Sequence, residues 1–579
     1  MSDPSPNYWA RPSGDRVSRR RLLVSAASIG TALTGSSVLA CSGQGRRSGG
    51  ATSTGSSVTQ ASTGAPQPGG TLAIAFTLNG LLDAHKASND HTVIAPVQSR
   101  LLKFKTGSDP KAGVDHDLEP DLALTVESPD AVTWTVKLRP DAKFFNIAPV
   151  NGHPVEAEDI KATFSRAVDP ATASPNRGAL SFIDPAQIGT PDKSTVVFKL
   201  NYAYAPFAKA LASPVTSWIF PREVLAGGYD PAKTIIGSGP FMLDSVQPDV
   251  AYNYKKNPDW FSKPEPHVDG VRIAIIPDTH TQEAQFAAGN LDVLSAPIVD
   301  LDAIRQQNPK AQSFQTPNAT PSPIYPQEGD PTGPFYDIRV RRAVSMLIDR
   351  DALNKALLNG QGVGVAFVPL YMGKWAMLIG DLPKDTQQWY QYNPSEAKKL
   401  LDAAGYSNLA IKLAYVTNGP FSTAAYNKLA ETLNGMLNQG GIRSSLITQD
   451  YNTQYIGGGH GSRQGYFDKD ILILAGVGAI TDADAALFDN FSSKSTSNGD
   501  HLSDPALDAM LDKERVAVKE DDRLKIVQDI ERYIADKVYV IPTLGTNAWL
   551  FLNPRVQNYQ YSAGQGTGTE TYAKLWLAK

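Results

Sequence analysis

Cysteine is nearly absent from this sequence: Cys41 is the only one among 579 residues. An internal disulfide and a cysteine-ligated metal cluster are therefore excluded. Histidine is also sparse. His85, His91, His116, His153, His267, His280, His460 and His501 include no His-x-x-x-His pair of the kind that forms a helical zinc site. The Gly-x-Ser-x-Gly elbow and the phosphate-binding Gly-Lys-Ser/Thr loop are both missing. So is an excess of one charge: 54 basic against 58 acidic residues leave a net charge of −4, which gives nucleic acid no basic surface. These gaps argue against an enzyme, a cofactor and a bound metal. The chain does have 41% hydrophobic and 19% charged residues, the balance of a globular protein. At about 150 residues per domain its length allows three or four structural units.

The N-terminus reads as an address and an anchor. Residues 1–17 are polar and carry Pro4, Pro6, Pro12 and Gly14. Arg19 and Arg20 then precede a weakly apolar stretch, Leu22 to Ala40, diluted by Ser25, Ser28, Thr31, Thr34, Ser36 and Ser37. A spanning helix needs about 20 predominantly apolar residues. The diluted stretch suits a signal peptide better, and paired arginines before it resemble a twin-arginine export signal. Val38-Leu39-Ala40-Cys41 resembles a lipobox, which makes Cys41 the lipidated residue. Two acyl chains hold a protein on a membrane where one is marginal. Residues 42–68, rich in Ser, Gly and Thr, form a linker whose reach is roughly 30 Å.

Beyond it, Thr71-Leu72-Ala73-Ile74-Ala75-Phe76 predicts a first buried strand. The loop after it carries Asp83, Asn89 and Asp90, at the carboxyl end of the strand where ligands sit in open α/β sheets. Val132 to Arg139 alternates and predicts a half-exposed strand. Pro154 to Phe164 predicts a helix, with Glu156, Glu158 and Asp159 complementing its dipole. Asn393-Pro394 predicts a capped helix start, and Gly405 its stop. Asp521 to Lys537 predicts an amphipathic helix buried through Leu524, Val527, Ile530 and Ile534. Val538 to Pro542 follows as a strand. Gly360 to Gly364 and Gly457 to Gly461 read as flexible loops.

Several blocks resemble one family in collinear order. They are Leu118-Glu119-Pro120-Asp121-Leu122-Ala123, Ser128-Pro129-Asp130, Thr133 to Arg139, Ala157-Glu158-Asp159-Ile160, Gly237-Ser238-Gly239-Pro240-Phe241 and Asn257-Pro258-Asp259-Trp260-Phe261. Gly289 to Val293, Pro334 to Arg350 and Tyr392 to Tyr406 continue the series. Together they resemble the bacterial extracellular solute-binding proteins of family 5, which include oligopeptide-, dipeptide- and nickel-binding lipoproteins. The resemblance implies an α/β, two-lobed periplasmic-binding-protein-like fold with a hinge and a subdomain inserted in lobe I. Carried onto this chain, lobe I covers 69–97, 218–298 and 541–579, the inserted subdomain 98–217, and lobe II 299–540. Crossings between lobes are expected near Asp292–Pro297 and Tyr539–Pro542. The arginines from Arg339 to Arg350 are expected to form a structural ion-pair network.

The implied function is capture of a di- or oligopeptide between the lobes and delivery to an ABC permease, by a monomer held outside the cytoplasmic membrane by its lipid. Many peptide binders of this family carry a tryptophan and an amine-binding aspartate after a lobe II strand. Here that strand, Asp468 to Leu474, leads to Ala475 or Gly476 at the tryptophan position and Ala479 or Ile480 at the aspartate position. Gly476, Gly478, Asp482 and Asp484 are the candidate ligand contacts, with Trp549 near the C-terminal return. Either Asp482 takes the amine contact or the ligand has no free amine; alternatively, both acids cap the helix beginning near Ala483. An oligosaccharide or other amine-free solute is the second reading. A sensory protein that presents its ligand to a membrane receptor is a third, of another class.

Overall fold

The computed structural model describes residues 64–77, 79–87, 91–107, 117–296, 301–316, 320–418, 424–455, 462, 465, 467–476, 482–495, 498–561 and 569–579. Arg19, Arg20, Cys41, Asn89, Asp90, Gly478 and the Gly457–Gly461 loop lie outside the described residues.

The first strand, Thr71–Phe76, pairs in parallel with Gly270–Ile275. Ala251–Lys256 and then Phe241–Gln247 extend that sheet antiparallel. A second sheet orders Val293–Ala296, Ala548–Leu552 and Gln312–Thr316. Asp292 joins the two: its backbone N–H donates to the Ala73 carbonyl at 2.7 Å, and its carboxylate accepts the Ala73 N–H at 2.8 Å. Arg555 covers the same carboxylate from the C-terminal return at 2.6 and 2.8 Å.

The inserted subdomain is a four-stranded antiparallel sheet of Ala123–Glu127, Thr133–Leu138, Thr195–Lys199 and Ile188–Asp192. Thr133–Leu138 alternates as expected, burying Trp134, Val136 and Leu138. Helix Ala157–Val168 lies on this sheet. Its start is a capping box, in which the Glu156 side chain accepts from the Asp159 backbone and the Asp159 side chain from the Glu156 backbone.

Lobe II has its own mixed sheet of Ile324–Pro326, Ile471–Leu474, Ala410–Val416 and Arg443–Gln449, flanked by helices. Ile471–Leu474 is buried on both faces, which suits a strand in a covered sheet. Asn393 caps helix Pro394–Ala403 by accepting the Glu396 N–H at 3.1 Å. Gly405, at φ +84°, then ends it: the Gly405 N–H bonds to Asp402 and the Tyr406 N–H to Leu401, the paired bonds of a Schellman stop.

The cores divide the molecule. One continuous apolar cluster runs from Leu72 and Val271 in lobe I through Trp134, Phe164 and Phe207 in the insert to Tyr572 at the C-terminal end. A separate cluster fills lobe II, from Ile324 through Val344, Leu413 and Leu474 to Ile534. The insert and lobe I therefore share one close-packed interior, while lobe II has its own.

Four expectations need correction. Gln312–Thr316 pairs with Ala548–Leu552, so the chain after 298 stays with lobe I and the first exchange of lobes falls between Thr316 and Ile324. The stretch after helix Glu520–Lys537 is not a strand: Val538 takes a left-handed conformation, and only Ile541 bridges to Ile324. Gly362–Gly364 is not a loose loop but a short strand paired with Leu544–Thr546. That pairing keeps the chain in lobe II until about residue 547, several residues past the expected crossing.

Candidate functional site

Two segments carry the chain between the lobes, and they run side by side. Ile324 and Ile541 exchange both backbone hydrogen bonds at 2.9 and 3.0 Å. The Thr543 hydroxyl donates to the Ser322 carbonyl at 2.7 Å. Gly545 permits the approach, because a Cβ there would stand 2.8 Å from the Thr320 backbone. Buried arginines brace this hinge through carbonyls. Arg350 donates to Pro542, Ser345 and Tyr390 carbonyls at 2.9 to 3.1 Å. Arg341 donates to the Phe335, Tyr336, Lys537 and Val538 carbonyls at 2.7 to 3.1 Å. The expected ion-pair network is thus confined to Arg339 with Asp337 and Arg342 with Asp536. A guanidinium offers five donors in a planar fork, which suits several carbonyls at once. Burial pulls the Arg350 pKa down to about 10, which leaves it charged at neutral pH.

Away from the hinge the two bodies touch through buried charge. Asp482 is the cap of helix Ala483–Phe491, where it accepts the Asp484 N–H at 2.9 Å. Arg523 holds both Asp482 oxygens from helix Glu520–Lys537. Lys209, from the inserted subdomain, points its ammonium at the same carboxylate at 3.5 Å and over the Trp375 ring at 4.3 Å. Burial works against the Asp482 charge, but Arg523 and Lys209 outweigh it and hold the pKa well below the usual carboxylate range. Burial lowers the Lys209 pKa, with Asp482 opposing. Glu514 also faces Arg523, yet burial lifts its pKa to about 8. Beside this cluster Arg515 pairs with Asp484 at 2.9 Å and lies over Tyr204 and Phe488. A backbone bond of 2.7 Å, from the Ala205 N–H to the Arg515 carbonyl, closes the contact.

The sequence candidates are distributed unevenly around these features. Asp83 is buried and bidentate to Arg166 at 2.6 and 2.9 Å, which ties its loop to helix Ala157–Val168. Asp482 and Asp484 are both buried and both engaged by arginines, and Asp482 caps its helix. Trp549 stands in the lobe I sheet under the Arg305 guanidinium, 4.6 Å from its ring centre. Gly476 is half-buried and lines a cavity of about 230 Å³ at the hinge. A larger cavity, about 930 Å³, is lined by Phe182, Tyr202 and Tyr204 of the insert and by Phe488 and Arg515 of lobe II. Among the described residues one histidine and acid group has metal-ligand spacing, His153 with Asp159 and Glu223. The Asp159 oxygens there already accept the Glu156 and Arg222 backbone N–H groups.

Lys209, Arg523 and Glu514 were missed from sequence, although each left a trace. Lys209 interrupts the apolar run Phe207-Ala208-Lys209-Ala210-Leu211. Arg523 falls on the buried face of a helix with Val527, Ile530 and Ile534, and Glu514 on that of the preceding helix with Leu507 and Leu511. A charge inside an apolar stripe requires a partner, and sequence does not say which.

With the geometry in place, similarity to known proteins becomes informative. Residues 117–499 match the middle region of the bacterial extracellular solute-binding proteins, family 5. The probable D,D-dipeptide-binding periplasmic protein DdpA of Escherichia coli is 26% identical over 491 residues, covering 82% of this chain and 88% of its own. Heme-binding protein A of Haemophilus influenzae is 24% identical over 488 residues, 80% of this chain and 84% of its own. The crystal structure of the ABC transporter substrate-binding protein CtaP of Listeria monocytogenes has the same fold, with a TM-score of 0.71 at 21% identity over 89% of this chain and all of that one. These relatives bind solutes for transport and are not enzymes. Two separately packed lobes, a double-stranded hinge and a match over residues 117–499 make this chain a member of the family 5 bacterial extracellular solute-binding proteins.

Proposed function

We propose that this protein captures a peptide between its lobes and delivers it to an ABC permease from outside the cytoplasmic membrane. The observation that carries the reading is the pair of adjacent inter-lobe crossings, at Thr316–Ile324 and near residue 547, in a chain belonging to this family. Such a hinge lets two rigid bodies close over a solute. The peptide is supported by the kinship with a probable D,D-dipeptide binder over most of both chains. Closure brings Lys209 of the insert onto Asp482 of lobe II, so the acid expected at the ligand amine instead serves the closed form. Asp83 keeps its loop in place through Arg166. Gly476 and Gly478 are assigned to main-chain pairing with an extended ligand, which gives affinity that tolerates sequence. The protein acts as a monomer, exported through Arg19 and Arg20 and anchored by lipid on Cys41.

A second reading has its own support. With Asp482 neutralised by Arg523 and Lys209, a solute without a free amine is also accommodated, and one relative is named for heme. Native mass spectrometry of the exported protein, purified without denaturation, separates the two. A co-purified peptide mass is expected; a sugar or another amine-free compound would move the function to the second reading. For the anchor, Cys41→Ala is expected to release the protein from the membrane fraction. Retention there would refute lipidation.

A further inference from the structure

The cavity at the hinge has a chemistry of its own. It measures about 230 Å³ and is lined by Leu353, Leu357, Leu358, Leu429 and Leu544. Charged side chains are absent from its described lining, and Thr320, Ser322 and Thr546 supply the polar edge. Leu357, Leu429 and Leu544 pack against the lobe II core but keep part of their surface uncovered. A leucine-walled cavity of about 150 Å³ stays dry and takes a benzene-sized guest, so this one has room for a group somewhat larger. Both inter-lobe crossings contribute wall, the first at Thr320 and Ser322 and the second at Leu544 to Thr546. Gly476 contributes wall too. It follows the buried strand Ile471–Leu474 by two residues, and its lack of a side chain leaves the space open.

We infer that this pocket is a specificity site that takes one uncharged, apolar side chain of the captured solute. The inference rests on the peptide reading above and deepens it. An extended peptide passing Gly476 can pair its main chain there while one side chain, the size of leucine, phenylalanine or tryptophan, enters the leucine wall. A lysine or aspartate at that position would bury a charge with no partner among the lining residues. Because the wall includes both crossings, the occupant touches the parts that bend, so the same side chain favours one setting of the hinge.

The test uses tetra-alanine peptides in which each position in turn is Gly, Asp, Lys, Leu or Phe, titrated by calorimetry into the exported protein. Indole serves as an independent probe of the cavity, followed by thermal shift. At one position Leu and Phe should bind at least about tenfold tighter than Gly, Asp or Lys, from the burial of one apolar side chain. Gly476→Trp should fill the space, erase that preference and remove the indole shift. Leu429→Gln, which puts a polar group in the wall, should weaken both should the tryptophan variant fail to fold. Peptide binding without such a preference, or a preference that survives both variants, overturns the pocket and leaves the peptide reading intact. Indole binding that these variants remove, with no peptide bound, overturns the peptide reading and supports the pocket as a site for an apolar group. Neither peptide nor indole binding overturns both.

Discussion

Helix Glu520–Lys537 reaches about 27 Å from end to end, and its two ends solve the same problem in opposite ways. At its start, Arg523 enters a buried cluster of charges shared between lobe II and the inserted subdomain. At its finish, the Lys537 and Val538 carbonyls are gathered by Arg341 beside the hinge. The hinge end uses one cation against neutral carbonyls, at a helix C-terminus where the dipole favours a cation. It can stay made while the lobes move, because its partners all belong to lobe II. The other end puts acid and base from two bodies in one dry contact. Desolvating charges is costly unless each finds its partner, so that contact forms only when both surfaces arrive in register. The hinge end therefore ties lobe II to itself, and the charged end joins lobe II to the inserted subdomain.

Substitutions can break that comparison. Arg523→Ala has the largest expected effect. It strands Asp482 beside only Lys209, and losing one partner of a buried pair costs about 3–5 kcal/mol. Urea unfolding measures it, and a loss below about 1 kcal/mol would mean the cluster is wet. Next comes pH. Glu531, on the same helix, is buried and accepts the Val368 N–H at 2.9 Å, and burial lifts its pKa from 4.5 to about 8. The folded state therefore holds a proton that the unfolded state has released. Its contribution is full below about pH 4.5 and is lost as pH rises through about 8. Glu531→Gln should flatten the fall in melting temperature across that window; an unchanged slope would refute the assignment.

Smaller effects sharpen the difference between the ends. Asn393→Ala removes a cap far from both and should cost about 1 kcal/mol, with ligand affinity unchanged. Lys209→Met should change stability by less than about 1 kcal/mol, since Asp482 keeps both bonds from Arg523 and an apolar isostere can replace a buried ion without loss. Its signature should be kinetic: ligand release about tenfold faster in stopped flow, for a contact worth about 1.4 kcal/mol in the closed form. Unchanged release would remove Lys209 from the closure step.

Local chemistry was legible wherever a residue acts on its own neighbours. Asn393 and Gly405 mark a helix start and stop through bonds that reach three to five residues, and both are readable from spacing. Trp134, Val136 and Leu138 alternate because a strand alternates. The helix after Lys519 was readable too, with Val527, Ile530 and Ile534 buried and Leu524 packed against the core, but the charges buried beside them were not. Arg523 lies next to Leu524 and Glu531 next to Ile530, and both charged side chains are buried. Periodicity locates a stripe to within one residue, and a charge at its edge is assigned to solvent by default. Only a partner on another segment reverses that default.

The crossings failed for a related reason. The pattern of Gln312–Thr316 shows that it can be a strand, and nothing local says that its partner is Ala548–Leu552, more than 230 residues away.

The sequence by itself determined that this chain has two lobes and binds a solute, through collinear motifs that each encode a turn, a cap or a strand. It also determined what the chain lacks, because a missing cysteine pair or a missing phosphate loop is absent in any fold. The tertiary structure decided where the lobes exchange, which acids are neutralised, and that Gly476 opens onto a leucine-walled space. Those depend on partners set side by side by packing two separate cores, and the chain order carries no record of such pairings.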